Sequence, residues 1–221
     1  MIHRCDNCPG QEAVKVFIYD HLAAVGLQDD DMITYKQWTH TDRTELVTVA
    51  KDTTSFVETL ATKVDAVTTH HYIAKQQAGY LRRAKERLQE HEIIVLLDFA
   101  QNYSFIVQDA IQGHHWNNAM ATIHPYSLYF LEEGTLKNES FCVISDCLEH
   151  NTYTVYAFNR KLINYIKEAH PHVEKILYWS DGAASQYKNY KNISNLFNHK
   201  SDYDISAEWH FFCHITWEKS M

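Results

Sequence analysis

The chain has 221 residues, 45% hydrophobic and 22% charged, the make-up of a folded soluble protein rather than a disordered or fibrous one. Its formal net charge of −8 argues against strong electrostatic grip on DNA, since proteins that hold phosphates carry a surplus of Lys and Arg. The longest apolar run, Ile93 to Leu97, is far short of the roughly 20 residues of a membrane helix. Residues 1–10 have no apolar stretch of the secretory kind, so no membrane partner and an intracellular location are expected.

In chain order, residues 11–27 predict a helix, because Ala13, Val14, Phe17, Ile18, Leu22 and Val25 recur at three-and-four spacing and Gly26 stands at a C-cap position. Asp29, Asp30 and Asp31 predict a turn. From Met32 to Val49 the alternation of Ile33, Tyr35 and Trp38 fits a strand or an extended loop, and the stretch reads as a mixed connection. Thr53 or Thr54 is placed to cap a long helical region that runs to Glu90. Residues 1–91 are therefore expected to form a mainly helical N-terminal arm.

At Glu92 the character changes. Ile93 to Leu97 run without polar interruption, as in a strand buried on both faces. Ala121 to Leu131 and Lys137 to Ile144 read as strands joined by a hairpin turn at Glu132, Glu133 and Gly134. Thr152 to Ala169 predicts a helix with Val155, Phe158, Leu162, Ile163 and Ile166 on one face, stopped by Pro171. Lys175 to Ser180 is a short strand, Asp181 to His199 a polar loop and helix, and Ile205 to Ile215 a last strand.

Three strands, helix, strand, helix, strand is the order of a ribonuclease-H-like α/β fold, a mixed five-stranded sheet flanked by helices, here expected over residues 92–221. Asp98 and Asp181 end two strands that should be parallel neighbours, which brings their carboxylates together. Alone, an Asp at a strand end reads as a turn former or a helix cap. A converging pair, by contrast, favours a hard cation such as Mg²⁺ or Mn²⁺, which in phosphodiester chemistry activates a nucleophile and stabilises the leaving oxygen.

Several segments extend this reading: CDNCPG (Cys5 to Gly10), ITYKQW (Ile33 to Trp38), DFAQNY (Asp98 to Tyr103), QDAIQGHHWN (Gln108 to Asn117), SFCVIS (Ser140 to Ser145), SDGAASQYKNYKN (Ser180 to Asn192) and EWHFF (Glu208 to Phe212). In these the chain resembles a group of uncharacterised animal proteins related to DDE transposases. The resemblance implies a ribonuclease-H-like fold, Asp98 and Asp181 as the first two metal ligands, an origin in a mobile element that cut and joined DNA, and hence a nuclear location. In the look-alikes, the Trp-x-Phe-Phe strand leads into His-Gly-Lys and Cys-Asp-Gly segments, whose acid is expected as the third ligand. This chain instead reads Cys213, His214, Ile215, Thr216, Trp217, Glu218 and ends at Met221. The expectation is a transposase-derived chain that lacks its third acid and closing helix and is inactive as a nuclease. Glu208, just ahead of the Trp-x-Phe-Phe segment, and Glu218, in an unrelated tail, are poor substitutes.

Cys5 and Cys8 read first as ordinary reduced thiols and second as half a zinc site. His115, in the His-His-Trp stretch, and Lys188 and Lys191, interleaved with Tyr187 and Tyr190, are candidates for contact with a nucleic-acid strand, although a packed His and a solvated helix face explain them as well. Two rival functions remain beside the ancestral enzyme: a domesticated, non-enzymatic interaction scaffold, favoured by the acidic charge, and a zinc-dependent binding module centred on Cys5 and Cys8.

Overall fold

The structure is a computed structural model that describes residues 10–40, 42–105 and 119–212. Cys5, Cys8, His115, Cys213, His214 and Glu218 lie outside the described residues. The chain divides into two units, the first ending at Gln76 and the second beginning at Gln77.

In the first unit, helix α1 (Gly10–Ala24) is followed by strands β1 (Met32–His40) and β2 (Thr44–Asp52), which pair antiparallel from Met32↔Asp52 to His40↔Thr44. The stretch that the sequence leaves open between strand and loop is thus a hairpin. One face carries half-buried Ile33, Tyr35, Val47 and Val49, and the Tyr35 ring meets Phe56 of helix α2 (Thr53–Glu86) at 5.2 Å. Asp52 caps α2 in place of Thr53 or Thr54. Its carboxylate accepts the Ser55 backbone N–H and the Ser55 hydroxyl, each at 2.8 Å, and these bonds lower its pKa.

The second unit, which contains the last part of α2, is mixed α/β. Its described strands form a six-stranded sheet: β3 (Glu92–Leu97), β4 (Tyr103–Ser104), β5 (Met120–Glu132), β6 (Thr135–Ser145), β7 (Lys175–Ser180) and β8 (Ser206–Phe211). One edge of β5 pairs along its length with β6, and the other pairs with β4 at Met120 and Ala121 and with β3 from Tyr126 to Tyr129. The sheet therefore runs β6, β5, β3, β7, β8, with the two-residue β4 as an additional strand that the sequence reading omits. Strands β3, β7 and β8 are parallel, whereas β5 is antiparallel to β3 and β6.

Sequence accounts for these elements. Ile93, Val95 and Leu97 enter one core cluster while Ile94 and Leu96 join another, as a run buried on both faces requires. Helix α3 (Thr152–Ala169) begins where Asn151 accepts the N–H groups of Tyr153 and Thr154, and buries Val155, Phe158, Leu162, Ile163 and Ile166 in the larger cluster. It stops before Pro171, which disfavours helical backbone at the preceding residue. Helix α4 (Tyr190–Tyr203) crosses from β7 to β8. The β5–β6 turn has two residues, Glu133 at φ 51° and Gly134 at φ 71°, the positive pair of a type I′ hairpin.

Candidate functional site

Strands β3 and β7 pair in parallel register from Glu92↔Lys175 to Leu96↔Trp179. The same offset, carried two residues beyond the ladder, sets Asp98 beside Asp181, on strands about 4.8 Å apart. Both aspartates line one open cavity of about 290 Å³ with Leu96, Leu97, Pro125, Ser127, Trp179, Ser180 and Phe212.

The chain turns away from the sheet after each aspartate. Past Asp98, β5 loses β3 at Tyr126 and does not meet β4 until Ala121; Pro125, which offers no N–H, falls in that interval. One backbone bond, Ala100 N–H to Ile123 O at 3.0 Å, holds the departing segment. Asp98 Oδ1 accepts the Phe99 N–H at 2.8 Å, and Asp181 Oδ1 accepts the Ala183 N–H at 3.1 Å. Trp209 Nε1 donates to Ser180 Oγ at 3.0 Å, and that hydroxyl donates to Asp181 O at 2.9 Å, which ties the end of β7 to β8. Gly182 follows where a Cβ would stand 3.3 Å from the Phe212 carbonyl oxygen, a close approach that suits glycine.

Beneath the pair lies Tyr187, fully buried. Burial foremost, then Asp98, Tyr126 and Asp181, push its pKa up, so its phenol keeps its proton. Its hydroxyl is 3.0 Å from Nε2 of the fully buried His124. Burial and then His150 push His124 down to about 3, leaving it neutral, and its Nδ1 has no hydrogen-bond partner among the described residues. Phe99 stacks on His150 at 4.3 Å and meets His124 edge-on at 4.3 Å. His150 Nε2 donates to Asn102 Oδ1 at 2.7 Å, which also accepts the Thr122 hydroxyl at 2.8 Å.

Sequence reasoning missed this layer, although Phe99 and Asn102 stand in the DFAQNY segment and Tyr187 in the segment that begins at Ser180. The available signal was His124 sharing alternation with Tyr126, Leu128 and Phe130 along β5.

The other predicted residues are placed as follows. Lys188 is exposed, its Nζ 5.8 Å from the Phe211 ring. Lys191, in the first turn of α4, donates to the Tyr153 hydroxyl at 2.7 Å and lies 4.3 Å over that ring. Glu208 lies within β8. Lys175, at the start of β7, bonds it at 2.6 Å, so Glu208 sits toward the end of the sheet opposite Asp181. That bond holds the Glu208 carboxyl below its usual range.

Among the described residues, no group of three or more His, Cys, Asp or Glu is arranged to hold a metal ion. Two carboxylates with hard oxygen donors fit one divalent ion completed by water, whereas two ions about 4 Å apart call for more anionic ligands.

A family model described as a domain of unknown function (DUF8700) matches residues 1–68, and another, also a domain of unknown function (DUF8701), matches residues 77–217. The division of the structure between Gln76 and Gln77 falls where the second match begins. No curated protein and no solved structure matches the chain. With residues 77–217 matched, well over half its length, the chain belongs to the DUF8701 family.

Proposed function

We propose that the second unit is a ribonuclease-H-like core of DDE-transposase descent, in which Asp98 and Asp181 hold one divalent cation, Mg²⁺ or Mn²⁺, against a DNA phosphate. The observation that carries this reading is the register that sets the two aspartates side by side at one cavity. The sheet order supports it too. Three strands paired antiparallel are followed by two parallel to the first, with α3 and α4 as the crossovers, an order in keeping with a ribonuclease-H-like core.

A divalent ion at the pair supplies Lewis-acid polarisation of a phosphate oxygen. Asp98 and Asp181 provide its anionic oxygens, aimed by the Phe99 and Ala183 N–H groups. Leu96, Leu97, Trp179 and Phe212 give the cavity an apolar wall that limits water beside the carboxylates. Among the described residues the pair supplies two carboxylates, fewer than cutting and joining needs to align attacking and leaving oxygens, where small displacements cost about a hundredfold. The net charge of −8 also repels DNA. On this reading the chain binds a cation at the pair and is not expected to cleave.

Titrating the purified chain with Mg²⁺ while following carboxyl chemical shifts should move Asp98 and Asp181 together at millimolar metal, and Asp98→Asn or Asp181→Asn should abolish the response. No response would sink the cation reading. On labelled DNA, metal-dependent cleavage that both substitutions remove would show a working nuclease and overturn the inactivity.

A second reading, an interaction scaffold, is favoured by one observation: Tyr190, Ile193 and Phe197 line one outward face of α4 at 77%, 55% and 89% exposure.

A further inference from the structure

We propose that Tyr187 and His124 act together as positioning residues for Asp98 and Asp181, holding the two carboxylates at the separation that one divalent cation requires; this rests on the reading of the pair as a cation site. The two carboxylates belong to segments far apart in sequence, and each has just left the sheet ladder. Their spacing therefore depends on what ties those segments together below the surface.

Tyr187 stands on the loop that starts at Asp181. That loop is stiffened by Ala183 O, which accepts the Tyr187 N–H at 2.8 Å, and by Asn192 Nδ2, which donates to Tyr187 O at 2.9 Å. His124 stands on β5, the neighbour of β3, and packs edge-on against Phe99, the residue after Asp98. The 3.0 Å bond between the Tyr187 hydroxyl and His124 Nε2 thus closes a bracket from one aspartate's loop to the other's. Both aspartates lie close enough to act electrostatically on that phenol.

The composition of the bracket argues for more than filling. His124 is fully buried and leaves Nδ1 without a hydrogen-bond partner among the described residues, a cost that a leucine at the same place would avoid. A strand interior that needed volume alone has no use for an imidazole that half satisfies its own polar atoms. Groups standing behind metal ligands change metal affinity by about 10–100-fold when removed, because they fix ligand orientation.

The experiment uses the full chain and Mn²⁺ alone, with free Mn²⁺ read by electron paramagnetic resonance and Tm followed in parallel. Tyr187→Phe and His124→Leu should each weaken Mn²⁺ binding by about tenfold. The double variant Tyr187→Phe/His124→Leu removes both polar partners, so its Tm should recover relative to either single variant. Its Mn²⁺ affinity should stay low. Affinity that returns together with Tm in the double variant would show a packing role only and overturn the proposal, as would unchanged affinity in Tyr187→Phe. Asp98→Asn and Asp181→Asn separate the two levels. Parent binding that they abolish, with Tyr187→Phe unchanged, removes the positioning role alone; an absent parent signal, or one that survives them, removes the cation site and the proposal with it.

Discussion

At one end of the parallel strands the Lys175 ammonium lies 3.6 Å from Glu92 and 2.6 Å from Glu208, so a single cation joins two carboxylates across β3, β7 and β8. At the other end Asp98 and Asp181 meet at a cavity whose lining, among the described residues, includes no lysine or arginine. The same sheet thus carries a compensated trio at its N-terminal edge and, at its C-terminal edge, two aspartates whose carboxylates accept the Phe99 and Ala183 N–H groups. Folding alone favours the first arrangement. The second makes sense where carboxylates serve a ligand, since sites of function commonly give up some stability.

Acid should separate the two ends, and this is the largest expected effect. His124 has its folded pKa depressed from 6.5 to about 3 by burial and then by His150; Tyr126 and Tyr187 also face it. Between those values the unfolded chain binds the proton and the folded chain does not. Stability is therefore full above pH 6.5 and falls as pH drops toward 3, by on the order of a few kcal/mol at about 1.4 kcal/mol per pH unit. Glu208 has its folded pKa lowered from 4.5, so its contribution is present above 4.5 and lost only below. Chemical denaturation across pH should show the parent weakening from 6.5 downward, His124→Leu losing the largest part of that early slope while keeping the share of His199 and His210, whose pKa values burial also lowers, and Glu208→Gln retaining the early loss. A parent that is flat between pH 6.5 and 4.5 would break the comparison.

Next in size is Lys175→Met. It leaves Glu92 and Glu208 without the ammonium that joins them while keeping the apolar stem, and should cost about 2 kcal/mol in urea denaturation. Its Mg²⁺ response should be unaltered, because Lys175 stands at the opposite end of β7 from Asp181. A loss below about 0.5 kcal/mol would mean that the trio is no better than an exposed ion pair.

How legible these ends were in the sequence follows from what each depends on. The run Ile93 to Leu97, the α3 periodicity stopped by Pro171 and the Glu133–Gly134 turn are local signals, and the elements stand where those residues place them. The β1–β2 hairpin lacked such a signal, because Asp42 and Arg43 in its turn are neither Gly nor Asn. Glu208 sits inside β8, where Lys175 across the sheet offsets the cost of a carboxylate within a strand. The adjacency of Asp98 and Asp181 could be argued from strand order, whereas the His124–Tyr187 bond joins β5 to the loop after β7 and depends on packing between the two.

A smaller effect of opposite sign is expected at the carboxylate end. In chelator, Asp98→Asn and Asp181→Asn each remove one of two like charges while keeping an oxygen for the Phe99 or Ala183 N–H. Each should raise stability by about 0.5 kcal/mol, in the range of side-by-side charged pairs in sheets. Millimolar Mg²⁺ should raise the parent's Tm and leave both variants unmoved, since a ligand stabilises only the state that binds it. Variants less stable than the parent in chelator would show that the carboxylates hold the fold together rather than burden it.

The smallest expected change lies in the turn at the compensated end, where β5 runs past the start of β3. Glu133 occupies the left-handed region at φ 51°, which costs a side chain other than Gly or Asn about 1–2 kcal/mol. Asn is favoured at the first position of a type I′ turn followed by Gly, so Glu133→Asn should recover part of that strain, about 0.5 kcal/mol. The substitution also removes a negative charge from an acidic chain, so the matched control is Glu133→Gln, which neutralises the charge and keeps the strain. Thermal denaturation should rank Asn above Gln and Gln close to the parent. Mn²⁺ affinity should be the same for all three, because the turn lies at the end of the sheet away from Asp98 and Asp181. A turn substitution that altered metal binding would mean that the two ends are coupled, and the division between a stabilising end and a proposed cation-binding end would fail.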